Sequence, residues 1–377
     1  MGRHDTRTER RRETMKVRKV FDRFEAYGWE TPTHEIARKV GLRNEQIVRL
    51  DTNTSPFAPL DELKLLSKAA PTLEVNQYPD TSYLGIREGL AGYCGIGVDR
   101  FVVTNGADEG LDIIAKTLLD NGDEVVVPVP TYAMFRIVSE LMGARARFVK
   151  RSRDDFRVGA DEVLAALTPR TKLVFLCNPN SPTGNPMPLA DVEKVAKEAR
   201  VAVAVDEAYY EFWGKTAAGL TAKHENLIVC RTFSKAFSMA GVRVGYLVAQ
   251  RNTVDLLNVV RPPNSLTVAS IMLAEAALRN LGEMRGNVSK IVKERERVFK
   301  ALRKAGSVVP FPSETNFLLF KVEGGAPGAR ELHSALMKKG FVLRSYSLGS
   351  GIGDCLRLTI GAAKVNDRLL SALAEAS

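Results

Sequence analysis

The chain has 377 residues, 45% of them hydrophobic and 26% charged, with a formal net charge of +10. Those proportions exclude a disordered, collagen-like or coiled-coil chain, and the length exceeds what one core usually organises, so a large domain with a smaller one is expected. The charge leaves two broad classes open, a nucleic-acid binder and an enzyme with an anionic substrate.

In chain order, residues 1–20 carry Arg3, Arg7, Arg10, Arg11, Arg12, Lys16, Arg18 and Lys19 against Asp5, Glu9 and Glu13. Half of the excess charge therefore sits in a stretch with almost no apolar content, which reads as a solvated tail. The tail lacks the apolar h-region of a secretory signal, and no apolar run is long enough to span a membrane. Residues 33–48 give a short helix, a glycine turn and an apolar return, the first half of a helix-turn-helix. They suit an arm packed on a larger body equally well, and the third helix or wing needed to read DNA is missing.

From Phe101 onward, strands and helices alternate. Residues 101–104 form a short apolar run closed by Asn105 and Gly106, and Leu111, Ile114, Ala115 and Leu118 follow at helical spacing. Residues 124–127, 172–177, 201–205, 227–230 and 244–248 are further apolar runs. Strands buried on both faces look like this, and with helices between them they imply an α/β fold with a mostly parallel sheet flanked by helices. Residues 282–305 read as one amphipathic helix stopped by Gly306. Strands at 316–322, 341–343 and 356–360, alternating with helices near 328–339 and 364–375, form a smaller α/β layer. The expected division is a tail and arm at 1–48, a large domain at 49–275 and a small domain at 276–377, which the arm completes.

The cysteines, Cys94, Cys177, Cys230 and Cys355, form no CxxC pair, and His4, His34, His224 and His333 have no ligand spacing. A cytoplasmic protein without metal or disulfides is expected.

Lys235 lies between hydroxyl residues just after an apolar strand. An amine near cations or apolar groups has a lowered pKa and becomes nucleophilic. Thr232, Ser234 and Arg243 around it can hold a phosphate dianion by charge-assisted hydrogen bonds. Asp206 ends a buried strand, the end where open α/β sheets bind ligands, and Tyr209 follows three residues on. Between residues 105 and 109, small residues leave the backbone N–H groups of Ala107 and Asp108 at a helix N-terminus, where they can take a phosphate. The spacing is not that of a P-loop. Tyr132 follows the next strand, where its ring can stack on a planar group.

Together these segments resemble the pyridoxal-phosphate-dependent aminotransferases of fold type I, and their wording is similar to the histidinol-phosphate branch. The matching stretches are 76–80, 105–110, 130–132, 178–184, 206–212, 231–246, 261–263 and 356–361, and the similarity spans roughly residues 45–375. The resemblance implies roles. Lys235 is the catalytic lysine that holds pyridoxal 5'-phosphate covalently. Asp206 pairs with the ring nitrogen, Tyr209 with the phenolic oxygen, and Tyr132 stacks on the ring. Ala107, Asp108, Thr232, Ser234 and Arg243 surround the phosphate. Tyr78 reaches that phosphate from a second copy, which makes a homodimer. Arg357 and Arg344 hold the anionic end of the substrate. The implied reaction moves the amino group of a small-molecule donor, L-histidinol phosphate, to 2-oxoglutarate, with no nucleic-acid or membrane partner.

Two stretches depart from the family pattern. Thr54 and Ser55 stand where the family carries Glu and then Asn or Tyr, which leaves Ser55 as the substrate-side candidate. Ser181 stands where the family has a second asparagine that contacts the phenolic oxygen, with Asn180 and Asn178 as fallbacks. Three alternatives stay open: an aromatic amino-acid aminotransferase, a threonine-phosphate decarboxylase-like lyase on the same scaffold, and a cofactor-binding transcription regulator.

Overall fold

The computed structural model of the chain describes residues 16–22 and 24–376. Most of the basic tail that reads as solvated, through Glu13, lies outside the described residues.

The arm opens with a helix at Thr33–Val40, which ends on Gly41 in the left-handed region (φ 72°). Where a helix-turn-helix would place its second helix, the chain makes a 3-10 turn at Asn44–Gln46 and a two-residue strand, β1 (Val48–Arg49). The apolar return is extended because it is paired: β1 runs parallel to a strand near the C-terminus, Val48 opposite Phe341. Ile36, Ala37 and Ile47 pack on Val342. Residues 33–48 are thus an arm on a larger body, not half of a DNA reader.

The main sheet has seven strands, β2 (Phe101–Thr104), β3 (Glu124–Val129), β4 (Arg145–Lys150), β5 (Thr171–Cys177), β6 (Ala202–Asp206), β7 (Leu227–Thr232) and β8 (Gly245–Val248), in the order β2-β8-β7-β6-β5-β3-β4. All run parallel except β8, which is antiparallel to both neighbours. The apolar runs are continuous because each face has its own core. Val174, Val203 and Val229 point to one, and Leu173, Ala204 and Ile228 to the other, the two-residue alternation of a strand. The edge strand β4 has no apolar run to mark it; Arg145, Arg147 and Lys150 lie along it and its side chains are largely exposed, as edge strands tolerate.

The helices Val268–Arg279 and Leu281–Ala305 meet at Asn280, whose backbone (φ −130°, ψ 79°) leaves the helical region. The second helix buries Met284, Ile291, Val298 and Leu302 at helical spacing and stops at Gly306 (φ 75°). It leads into β9 (Val308–Pro310), β10 (Phe317–Val322), β11 (Phe341–Val342), β12 (Arg344–Ser345) and β13 (Cys355–Thr359). Four of these form an antiparallel sheet in the order β12-β13-β10-β9, while β11 pairs with β1. The Leu50 carbonyl accepts from the Thr359 N–H at 2.8 Å, so the segment after β1 is stitched onto this C-terminal sheet. Among the described residues no helix is long and apolar enough to cross a membrane.

Candidate functional site

The C-terminal ends of the parallel strands open onto a cavity of about 430 Å³, the position expected of a ligand site in an open α/β sheet. The reversed strand β8 brings its N-terminal end to the same rim. The loop between β7 and β8 therefore starts and finishes there, and Ser234, Lys235 and Arg243 all arrive from it.

Asp206 ends β6 and is 5% exposed. Its Oδ1 accepts from the Ala208 N–H at 3.0 Å. Burial pushes its carboxyl up to about 7, against the pull of that hydrogen bond and of Lys235. The next side chain points to the other side of the strand: Glu207 pairs with buried Arg231 at 2.9 Å, behind the cavity. Lys235 Nζ donates to the Thr52 carbonyl at 3.3 Å and lies 5.8 Å from the centre of the Tyr209 ring. Burial, then the Arg357 guanidinium, lowers its amine to about 8. The Tyr209 hydroxyl accepts from Asn53 Nδ2 at 2.9 Å, and burial pushes it up to about 12.

At the other end, the helix Gly106–Leu118 begins without a side-chain cap, so its first-turn N–H groups, those of Ala107 and Asp108 among them, have no partner within the helix. Thr232 Oγ1 donates to Ser234 Oγ at 2.9 Å, and Arg243 Nη1 donates to the same oxygen at 3.3 Å. The Tyr132 hydroxyl donates to Asp108 Oδ1 at 2.8 Å, and Arg243 lies 3.6 Å from Asp108. Gly245 packs so closely on this turn that a Cβ would stand 2.5 Å from the Gly106 carbonyl carbon and 2.7 Å from the Ala107 nitrogen. A Gly245→Ala protein must move the helix start, at a cost of about 1–3 kcal/mol. Cofactor affinity in an absorbance titration of the cofactor-free protein should fall by about tenfold or more. Unchanged affinity would mean that the turn does not hold the ligand.

The opposite wall is the C-terminal sheet. Arg357 on β13 and Arg344 on β12 are directly paired across the strands. Arg357 Nη2 donates to the Asp51 carbonyl at 2.6 Å and Nη1 to Ser181 Oγ at 3.3 Å, while its Nε is buried without a partner. Arg344 Nη1 lies 3.4 Å from Glu30 Oε1.

All of the candidates drawn from the sequence line this cavity except Tyr78, Asn178, Asn180 and Ser55. Asn180 is fully buried, and its amide is spent on Thr131, Thr183 and the Pro130 carbonyl. Asn178 is likewise spent on the Met187 backbone. Of the three, Ser181 faces the cavity. Ser55 turns away after the left-handed residue Asn53 (φ 55°) and accepts from Ser238 at 2.8 Å, so Thr54 takes its place on the wall. Tyr78 is 86% exposed, outside the cavity of its own chain. Sequence reasoning missed Asn53, Tyr27, Glu30 and Tyr346. The first was visible only as an asparagine suited to a left-handed turn, and Tyr27 and Glu30 precede every motif.

A buried amine beside a buried acid at the strand ends, facing two arginines on a second sheet, is the arrangement of a carbonyl-cofactor enzyme that handles anions. The chain belongs to the aminotransferases of class I and II, whose family profile matches residues 45–375. It is 37% identical over 329 residues, 87% of this chain and 92% of the relative, to the histidinol-phosphate aminotransferase of Thermoanaerobacter pseudethanolicus. It is 35% identical to that of Methanocaldococcus jannaschii over 96% of this chain and 97% of the relative. A solved histidinol-phosphate aminotransferase from Sinorhizobium meliloti, in complex with pyridoxal-5'-phosphate, superposes with a TM-score of 0.86 at 25% identity, covering 96% of this chain and 97% of that one.

Pyridoxal 5'-phosphate is the cofactor of this family, and the residues present fit it. A cradle of uncapped N–H groups, hydroxyls and Arg243 suits its phosphate. The buried Asp206 carboxylate calls for a cation, which a protonated ring nitrogen supplies. Lys235 is held at a lowered pKa, as a carbonyl-binding amine requires.

Proposed function

We propose that this chain transfers the amino group of L-histidinol phosphate to 2-oxoglutarate, giving imidazole acetol phosphate and L-glutamate, a step of histidine biosynthesis. The observation that carries the reading is the pairing of Arg344 with Arg357 across β12 and β13 above Lys235. Like charges directly opposite on a sheet are unfavourable, and an anionic ligand relieves that repulsion. A guanidinium fork takes a carboxylate or a phosphate equally well, which suits an enzyme that must receive both.

Pyridoxal phosphate, when bound, would supply an electron sink for breaking the Cα–H bond. Asp206 keeps the ring nitrogen protonated by opposite charge. Tyr132 stacks on the ring. Tyr209, steadied by Asn53, and Ser181 serve the phenolic oxygen. Ala107, Asp108, Thr232, Ser234 and Arg243 hold the phosphate. Arg357 and Arg344 orient the substrate so that its Cα faces Lys235. The Lys235 amine takes the Cα proton and returns it nearby, a general acid–base transfer for which a pKa near the working pH is suited.

Exposed Tyr78, with exposed Leu84 and Val75 near it, supports a homodimer in which Tyr78 reaches the partner's cofactor phosphate. Four cysteines without a disulfide support a cytoplasmic location. The two sheets support a division into an arm to residue 48, a large domain at 49–275 and a small one at 276–377.

A donor panel tests the reaction. With 2-oxoglutarate as acceptor, kcat/KM for L-histidinol phosphate should exceed that for phenylalanine or tyrosine by about 10²-fold, the worth of a doubly held dianion. An equal or reversed preference would point to an aromatic amino-acid aminotransferase, and carbon dioxide release from threonine phosphate to the lyase.

A further inference from the structure

The cavity contains an acid that no motif predicts. Glu30 comes from the arm, lines the cavity, and rests its Oε1 3.4 Å from Arg344 Nη1. The Tyr27 hydroxyl donates to the same oxygen at 3.4 Å. Thus one of the two facing arginines already has an anion, and it is a carboxylate of the same chain. Arg357 differs: its contacts are a carbonyl, a hydroxyl and the face of the Phe317 ring, and its Nε has no partner.

We infer that Glu30 is an internal competitor for the anionic charge of the substrate at Arg344, and that a doubly charged anion displaces it. The inference rests on reading Arg344 as a substrate residue. The side chains of Arg344 and Glu30 are 28% and 34% exposed, so the pair belongs to the weak, solvent-screened class. A carboxylate or phosphate that meets the guanidinium with two parallel hydrogen bonds makes a stronger contact than a 3.4 Å end-on approach. A single monocarboxylate is satisfied at Arg357 and leaves Glu30 in place, whereas a phosphate dianion or a second carboxylate engages Arg344 as well. Glu30 therefore screens ligands by the presence of a second charge. It also sets how tightly the donor and acceptor bind, because the donor's phosphate is a dianion and the acceptor carries a second carboxylate.

The neighbouring Trp29 is 85% exposed and packs edge-on against Tyr27 at 5.9 Å. The chain has two tryptophans, so Trp213→Phe leaves Trp29 as a reporter of the arm.

The test is calorimetric binding to the holoenzyme of glutarate, which has two carboxylates and no group to react, and of butyrate, which has one. Glu30→Gln should tighten glutarate about fivefold and leave butyrate unchanged. In an Arg344→Gln background, Glu30→Gln should have no effect on glutarate. Glutarate, and not butyrate, should change Trp29 emission in the Trp213→Phe protein. The inference is overturned if Glu30→Gln weakens glutarate, which would make Glu30 a positioning residue for Arg344. It is equally overturned by the same gain for butyrate, by a gain that survives Arg344→Gln, by a silent Trp29, or by no glutarate binding at all. No turnover is measured, so failure of the L-histidinol phosphate assay leaves this result standing, and the reverse holds too.

Discussion

Lys235→Ala should lower transamination by at least about 10³-fold, and borohydride should no longer fix the cofactor to the protein. The size of the loss follows from the composition of the cavity. Among its described lining residues Lys235 is the one amine, and there is no histidine. The remaining bases are Asp206, Asp51, Asp108 and Glu30. Asp206 is committed to the ring nitrogen, while Asp51 and Asp108 are engaged by Arg49 at 2.7 Å and by the Tyr132 hydroxyl at 2.8 Å. No group in reach can take over both the covalent and the proton-transfer role. Lys235→Arg should fail as completely, since a guanidinium does not deprotonate. Activity within tenfold of the parent protein, measured by glutamate release, would remove Lys235 from the mechanism.

Asp206→Asn should cost about 10²–10³-fold in kcat/KM, the equivalent of breaking one buried charge pair. A second readout needs no turnover. Burial holds the Asp206 carboxyl at about 7, above its usual 3.8, so the folded cofactor-free protein keeps a proton that the unfolded chain gives up. The corresponding stability is fully present below 3.8 and is lost as pH rises through about 7. Lys235 acts in a separate window. Its lowered amine costs stability below about 8, and that cost fades as pH climbs to 10.5. The melting temperature of the cofactor-free protein should therefore fall between pH 4 and pH 7 by an amount that Asp206→Asn removes. The cofactor supplies the missing cation, so it should raise the melting temperature more at pH 8 than at pH 5. A fall of the same size in the Asp206→Asn protein would place the titrating group elsewhere.

The sheet strands were readable because each is buried on two faces and appears as an unbroken apolar run; β5 and β6 are found within one residue of their observed starts. The edge strand β4 was not, since its arginines give no such run. The cofactor end of the site was likewise legible. It is built from short contiguous segments at strand ends, where Asp206, Lys235 and Arg243 sit in recognisable company. The substrate end was only half legible. Arg357 belongs to a strand that could be found, but Arg344 lies just past the expected run at 341–343, on β12, and the facing register of the two depends on how β12 pairs with β13. Asn53 and Glu30 enter the cavity through contacts across 156 and 314 residues, Asn53 with Tyr209 and Glu30 with Arg344, and Tyr27 is placed beside Glu30. Local pattern carries no trace of such contacts. The half helix-turn-helix shows the converse, since its apolar return is a strand only because β11 lies beside it.

Asn53 also ties the two sheets together mechanically. Its backbone N–H donates to Thr359 Oγ1 at 3.0 Å, its carbonyl accepts from Asn316 at 2.9 Å, and its Oδ1 accepts from Thr359 at 3.2 Å. Its side-chain amide reaches across to the Tyr209 hydroxyl at 2.9 Å, in the segment that follows β6 of the main sheet. A slide of about 1 Å between the two would carry that last bond out of hydrogen-bonding range while the first three held. The position of the C-terminal sheet is thereby geared to the polarity of the Tyr209 hydroxyl, the group whose ring stands against the Lys235 amine.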